Sequence, residues 1–467
     1  MIIDIKKIIE NLPNNNSLAL IIPISTLLLF ISSILRHELF NSGGDLAFFD
    51  QCVYLISQGK QPISSILGFH VLADHAAWIL YFLALLYKIY PSVYWLFAVQ
   101  SAALALGALP TYFLALQAGL EKSQAIVMVT VYLLYPLIYN ANLLEFHPDT
   151  IAVPALLTAV LAARTKKIVW FCVSVLIVLG CKAVLSLTVV AMGVWLLLFE
   201  KRRLYGVIAI TSGIAWFLIA NKIIIPFFGN EAALINRHLY RYSYLGKSFY
   251  ETLQIILFQP KIVFSNIFTL INLEYLFYLL VPVIWALRPK YMIALIGAIP
   301  CLALNLIADH PSQKNLIWHY SLPIIPFLIL ALISSLAAGK AWIQKKAIIL
   351  WSLFWFLVLG KFGFFTSKYL KNLYNWQATK EAISLIKTQD SVLTTDIITP
   401  HLTHRELITF HYNLNELNKF NYILINVRNS DRAASAEDYD NLVKQLKTIS
   451  LFELKFKKDD VYLFIQK

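Results

Sequence analysis

The chain has 467 residues, 59% hydrophobic and only 14% charged, where soluble domains carry about 25% charged residues. This composition describes a polytopic membrane protein and excludes a soluble enzyme, a secreted disulfide scaffold and a disordered chain. The formal net charge of +13 sits in short clusters between apolar runs, not on a basic face interleaved with aromatics, so the lipid bilayer and not nucleic acid is the implied partner.

At roughly 20 apolar residues per crossing, the sequence predicts eleven spans, near residues 18–35, 93–117, 123–140, 150–163, 168–180, 184–199, 204–225, 271–287, 291–308, 320–338 and 347–365. The basic clusters at Lys6 and Lys7, Lys122, Arg164 with Lys166 and Lys167, Lys201 to Arg203, Arg288 with Lys290, and Lys340 with Lys345 and Lys346 should face the cytoplasm. That puts the N-terminus inside and the C-terminal part outside, with a plasma (inner) membrane as the expected location. The first run lacks a small-residue cleavage pattern, so it reads as a span and not a cleaved signal.

Two stretches break the alternation. Residues 78–90 are apolar but only about 13 long, short of a crossing, and counting them as a span would put every later basic cluster outside. They are therefore expected to lie flat on the outer surface, which makes residues 36–92 one large outer loop. Residues 226–270 read as a second outer loop with an interfacial helix near 251–258. The four cysteines (Cys52, Cys172, Cys181, Cys301) have no paired spacing, so neither a zinc site nor a disulfide framework is indicated.

The last 102 residues carry 14 basic and 12 acidic groups, so the basic excess belongs to the membrane part. The chain thus divides into a transmembrane domain, 1–365, and an outer α/β domain, 366–467. In the latter, helices are expected at 377–387 and 434–446, strands at 391–395 and 422–427, and a closing hairpin from 451–457 and 461–466. No Gly-rich phosphate loop occurs.

Under this topology the histidines and most acids of the membrane part fall on the outer side, where ionisable groups are costly unless hydrated, paired or functional. Asp45 and Asp50 follow the paired glycines Gly43 and Gly44, where the backbone can bend sharply. His70, Asp74 and His75 lie in the same loop. Glu145, His147 and Asp149 occupy five positions at the mouth of two spans. Lys182 interrupts an apolar run, His319 and Tyr320 open a late span, and Arg237 and Arg241, four apart, could share a helical face that grips phosphate. Each has a plainer reading, as a helix start, a loop cap, a snorkelling lysine or an aromatic belt. The acids and histidines leave a divalent metal open.

The segments GGDLAFFDQ, QGKQPISSILGFHVLADH, LLYPLIYNANLLEFHPD, the mid-membrane Cys181–Lys182 pair, HYSLPIIPF and SVLTTDIITPHLTHR resemble the bacterial membrane-protein family of domain of unknown function 2079 over nearly the whole chain. More distantly the layout resembles the GT-C superfamily of polyprenyl-phosphate-dependent glycosyltransferases. That resemblance implies an all-α transmembrane domain with a first-loop catalytic carboxylate at Asp45, second acidic groups at Glu145 and Asp149, and acceptor or metal shaping by Asp50, His70, Asp74, His75 and His147. It also implies lipid-phosphate contacts from Lys182, Arg237, Arg241, His319 and Tyr320. The expected activity is sugar transfer from a polyprenyl-phosphate donor to a lipid, glycan or protein acceptor on the outer face. A transporter or a non-catalytic assembly protein is the alternative, although no internal repeat of the transporter kind is visible.

Overall fold

A computed structural model describes residues 17–229, 239–246, 249–362, 370, 372–428 and 434–467. Helices dominate up to Leu359, and a small sheet with two flanking helices follows. Among the described residues, five helices are long and apolar enough to cross a membrane: Ser17–Glu38, Tyr94–Gln117, Arg203–Phe228, Pro289–Ile307 and His319–Ala337. Two bent pairs, Lys122–Leu133 with Pro136–Leu144 and Pro260–Ile267 with Leu270–Ala286, raise this to seven.

The expected spans outside these seven include shorter helices. The expected spans at 168–180 and 184–199 form helices Ile168–Cys181 and Leu185–Leu198, of 14 residues each. At 1.5 Å per residue such a helix is about 21 Å long, short of a hydrocarbon core of about 30 Å. Pro136 opens a new helix, since it can neither donate to the preceding turn nor share its space. The last expected span runs as Lys345–Leu359, and residues 363–369 lie outside those described. At the 78–90 stretch a helix does form, Ile79–Ile89, but its 11 residues extend only about 16 Å, too short to cross.

Burial separates the centre of the bundle from its rim. Ser17–Glu38 buries only Leu18, Ser33, Arg36 and His37, leaving Leu20, Ile24, Leu27, Leu28, Ile31 and Leu35 exposed as a lipid-facing surface. Ile325–Ala337, by contrast, is buried along almost its whole length. Close approach between helices relies on glycine. A Cβ on Gly180 would lie 2.7 Å from the Trp78 ring, and only a residue without one allows the indole to seat there.

The C-terminal domain has five strands in the order β2-β1-β3-β5-β4: β1 Val392–Leu393, β2 Ile408–Thr409, β3 Tyr422–Asn426, β4 Phe452–Lys458 and β5 Val461–Gln466. β1 pairs in parallel with both β2 and β3, while β5 runs antiparallel to β3 and β4. The two expected helices are present as Trp376–Ser384 and Ala436–Thr448. β2, only two residues long, is the strand with no readable alternation in the sequence.

Candidate active site

The helix Gly44–Ser57 carries Asp45 in its first turn. Its N-terminal N–H groups, which have no partner within the helix, are served from elsewhere: Gly43 N and Leu46 N donate to Glu145 at 3.0 and 2.9 Å. Glu145 also lies 3.9 Å from Arg36 Nη2, and Arg36 donates to the Leu143 carbonyl. Its carboxylate therefore binds the helix that presents Asp45, a placement the helix dipole favours.

Around Asp45 a small cavity of about 70 Å³ is lined by Asp45, Phe48, Phe49, Asp74, His75, His147, Lys182, Arg241, His319 and Tyr320. These residues come from six separate parts of the chain. His147 is fixed by its backbone, its N–H donating to Gln100 Oε1 at 3.1 Å and its carbonyl accepting from Thr150 at 2.8 Å. Its Nε2 lies 3.8 Å from Asp45 Oδ2. The ring stacks on His319 with centroids 3.7 Å apart. Beyond that stack, His319 Nε2 is 3.0 Å from Lys182 Nζ, and Lys182 Nζ is 2.5 Å from Asp149 Oδ2.

Lys182 reaches this point because the chain breaks there: Ile168–Cys181 ends, Lys182 is extended, and Ala183 N donates to the His75 carbonyl at 2.8 Å. That one bond ties the Lys182 break to the short helix Val71–His75. His75 Nε2 lies 3.3 Å from Asp74 Oδ2. Arg241 enters on the 3₁₀ stretch Leu239–Leu245, pinned by Asp309 N donating to its carbonyl at 2.8 Å. Its guanidinium lies over the Tyr320 ring at 4.9 Å and the Tyr240 ring at 5.5 Å.

Of the residues expected from the sequence, Asp45, Asp74, His75, His147, Lys182, Arg241, His319 and Tyr320 thus meet at one cavity, with Glu145 and Asp149 directly behind its walls. His70 and Asp50 do not line it. His70 caps the Val71–His75 helix, Nδ1 accepting from Leu72 N at 3.1 Å, and stacks on Phe228 at 4.1 Å; burial holds its imidazole below the ordinary value. Asp50 follows Asp45 by five positions, which at 100° per residue turns it about 140° away. It accepts from Tyr87 and Thr403 and lies 3.3 Å from His404 Nε2. Arg237 falls outside the described residues. Among those described, no group of three or more His, Cys, Asp or Glu side chains is arranged to hold a metal ion.

The match of residues 36–463 to the family described as "Predicted membrane protein (DUF2079)" decides the classification. The chain belongs to the DUF2079 family. Among solved structures, this DUF2079 protein is similar to ArnT from Cupriavidus metallidurans bound to undecaprenyl phosphate, with a TM-score of 0.54 and 13% identity, covering 96% of this chain and 98% of that one. The apo state of the same ArnT gives a TM-score of 0.52 and 12% identity, covering 96% and 97%. No curated protein matches the chain. The fold is accordingly GT-C-like, a multi-pass membrane domain followed by an α/β domain.

Contacts between the two parts of this DUF2079 chain went unnoticed in the sequence. Thr403 and His404 hold Asp50, and Gln51 Nε2 donates to the carbonyls of Arg405 and Glu406 at 3.2 and 3.1 Å. His401 stacks on His37 at 3.9 Å and meets Phe40 at 4.4 Å. The family-like segment SVLTTDIITPHLTHR was the available signal, since it carries every one of these domain residues except Glu406.

Two histidines of that segment titrate in opposite directions. Burial brings His401 down to about 4 from an ordinary 6.5. For His404, burial works to lower the pKa, but the Asp50 charge and hydrogen bond outweigh it, for a net rise. A lowered histidine contributes stability that is complete above 6.5 and is lost as the pH falls toward 4. A raised one contributes stability below 6.5 that is lost as the pH climbs through its raised value. The full-length protein in detergent should lose up to about 3 kcal/mol between pH 6.5 and 4 through His401. Denaturation midpoints measured across that range should fall less steeply in His401→Gln than in wild type, and equal slopes would remove His401 as the cause.

Proposed function

We propose that this protein is a membrane glycosyltransferase that moves a sugar from a polyprenyl-phosphate donor to an acceptor hydroxyl or amine at the outer face of a bacterial inner membrane. The observation that carries this reading is the cavity itself, which brings a carboxylate, Asp45, together with two cations, Lys182 and Arg241, around the stacked His147–His319 pair. The GT-C-like fold and the undecaprenyl phosphate bound in ArnT support it. The positive-inside pattern supports the outward orientation.

In the proposed reaction the acceptor attacks the anomeric carbon of the donor, the bond from that carbon to the phosphate oxygen breaks, and the lipid phosphate leaves with the bonding electrons. Asp45 takes the acceptor proton as general base. Arg241, a planar fork held between two tyrosine rings, and Lys182, held by Asp149, stabilise the charge that grows on the leaving phosphate. Phe48, Phe49 and Tyr320 supply apolar walls that strengthen those charge interactions by excluding water. Glu145 acts through the backbone, by fixing the Asp45 helix.

The test is reconstitution of the full-length protein in liposomes with a panel of radiolabelled polyprenyl-phosphate sugars. Label should leave the lipid phosphate in wild type in the presence of an acceptor extract from bacterial envelopes. Failure of every donor to lose its sugar would sink the enzymatic reading in favour of a non-catalytic role in membrane assembly.

A further inference from the structure

We propose that Asp396 is a positioning residue for Asp45, so that the C-terminal domain completes the candidate site. This deepens the glycosyltransferase reading and rests on it for any effect on turnover, while the placement itself can be tested without catalysis.

In open α/β sheets, ligands are taken up beyond the carboxyl ends of parallel strands, where neighbouring connections leave in opposite directions. β1 is such a strand, with β2 on one side and β3 on the other. The residues that follow it, Thr394, Thr395 and Asp396, are buried. What they meet is not a free ligand but the start of the membrane domain's Gly44–Ser57 helix. A Cβ on Gly43 would lie 3.3 and 3.4 Å from the two carboxylate oxygens of Asp396, and one on Gly44 would lie 3.2 Å from Oδ1. The same Gly43 Cβ would lie 3.1 Å from Glu145 Oε1.

Two carboxylates, from loops about 250 residues apart, thus close on one N-terminal turn, where a negative charge is favoured and where a side chain larger than glycine's would press on both. Further along the helix, the β1–β2 connection grips Asp50 through Thr403 and His404, and Gln51 through the Arg405 and Glu406 carbonyls. The C-terminal domain therefore closes on the helix at its first turn and grips it at the end of its second, with Asp45 at the end that faces the cavity. Because each residue turns a helix by 100°, a slip of one position would swing Asp45 off its target. The domain sets that angle.

The experiment compares wild type, Asp396→Ala, Asp396→Asn and the exposed-surface control Glu437→Gln, all full length in detergent, by hydrogen exchange and by steady-state transfer. Exchange within residues 44–57 should rise by about tenfold or more in Asp396→Ala while β3 and β5 keep their protection. In transfer, kcat should fall at least about tenfold with the donor KM within about twofold, the mark of a group that acts on the reacting geometry and not on binding. Wild-type exchange in the helix of Asp396→Ala would overturn the proposal, and so would a raised KM with unchanged kcat. If Asp396→Ala also opens the sheet, the isosteric Asp396→Asn decides by the same comparison. If the helix loosens but wild type transfers no sugar from any donor, the positioning role stands and the glycosyltransferase reading falls.

Discussion

Asp45→Asn should slow sugar transfer by about 10² to 10⁴-fold, about 3–5 kcal/mol in the barrier, because asparagine keeps the shape of the side chain but cannot take a proton as a carboxylate does. Its effect on folding should be small. The Asp45 side chain is one-third exposed and lies 3.8 Å from His147 Nε2. What folding loses is a charge at a helix N-terminus, worth about 0.3–1 kcal/mol. Transfer rates in proteoliposomes beside thermal unfolding of the same preparations would separate the two effects. Full transfer by a folded Asp45→Asn would move the search for a base to Asp74, the other carboxylate lining the cavity.

The Lys182–Asp149 pair should behave in the opposite way, with stability and binding affected together. Both side chains are nearly fully buried and their charged atoms are 2.5 Å apart. Lys182→Ala would leave Asp149 as a buried charge without its counter-ion, which costs about 3–5 kcal/mol. Asp149→Asn should cost a comparable amount by leaving the ammonium beside His319 alone. Replacing both, as Lys182→Met with Asp149→Leu, should recover most of the stability, since apolar pairs often replace buried ion pairs without loss. It should not recover affinity for a polyprenyl phosphate if the ammonium touches that phosphate. Unfolding midpoints and titration with the lipid phosphate would decide, and a stable double variant with wild-type affinity would make the pair purely structural.

Much of this architecture was legible because burial in a bilayer makes polarity conspicuous. Asp45, His147 and Lys182 stand out from apolar surroundings, and their shared side followed from where the basic clusters fall. The change in composition after Phe365 marked the α/β domain. The break at Lys182 was legible too, since the expected spans 168–180 and 184–199 match the helices Ile168–Cys181 and Leu185–Leu198. The separation of Asp50 from Asp45 was available in their five-residue spacing, which a helical wheel turns into opposite faces. Asp396 and His404 were beyond reach by pattern alone. Their partners lie about 350 residues earlier in the chain, and no local periodicity records a contact at that distance.

The grip of the β1–β2 connection on the first-loop helix also has a consequence for how the protein is made. Asp50 and Thr403 are separated by 353 residues, so at roughly 5–20 residues per second the ribosome needs roughly 20–70 s after making the first before it supplies the second. On the proposed outward topology, the Gly44–Ser57 helix is exported during that interval but lacks the groups that later enclose Asp50, Gln51 and its own amino end. A buried aspartate with half its hydrogen-bond partners missing favours water, so the nascent helix should stay loose at the membrane surface. Under the proposed mechanism Asp45 then comes to bear only once the chain is almost finished, and a product truncated before β2 should be inserted in the membrane yet inert.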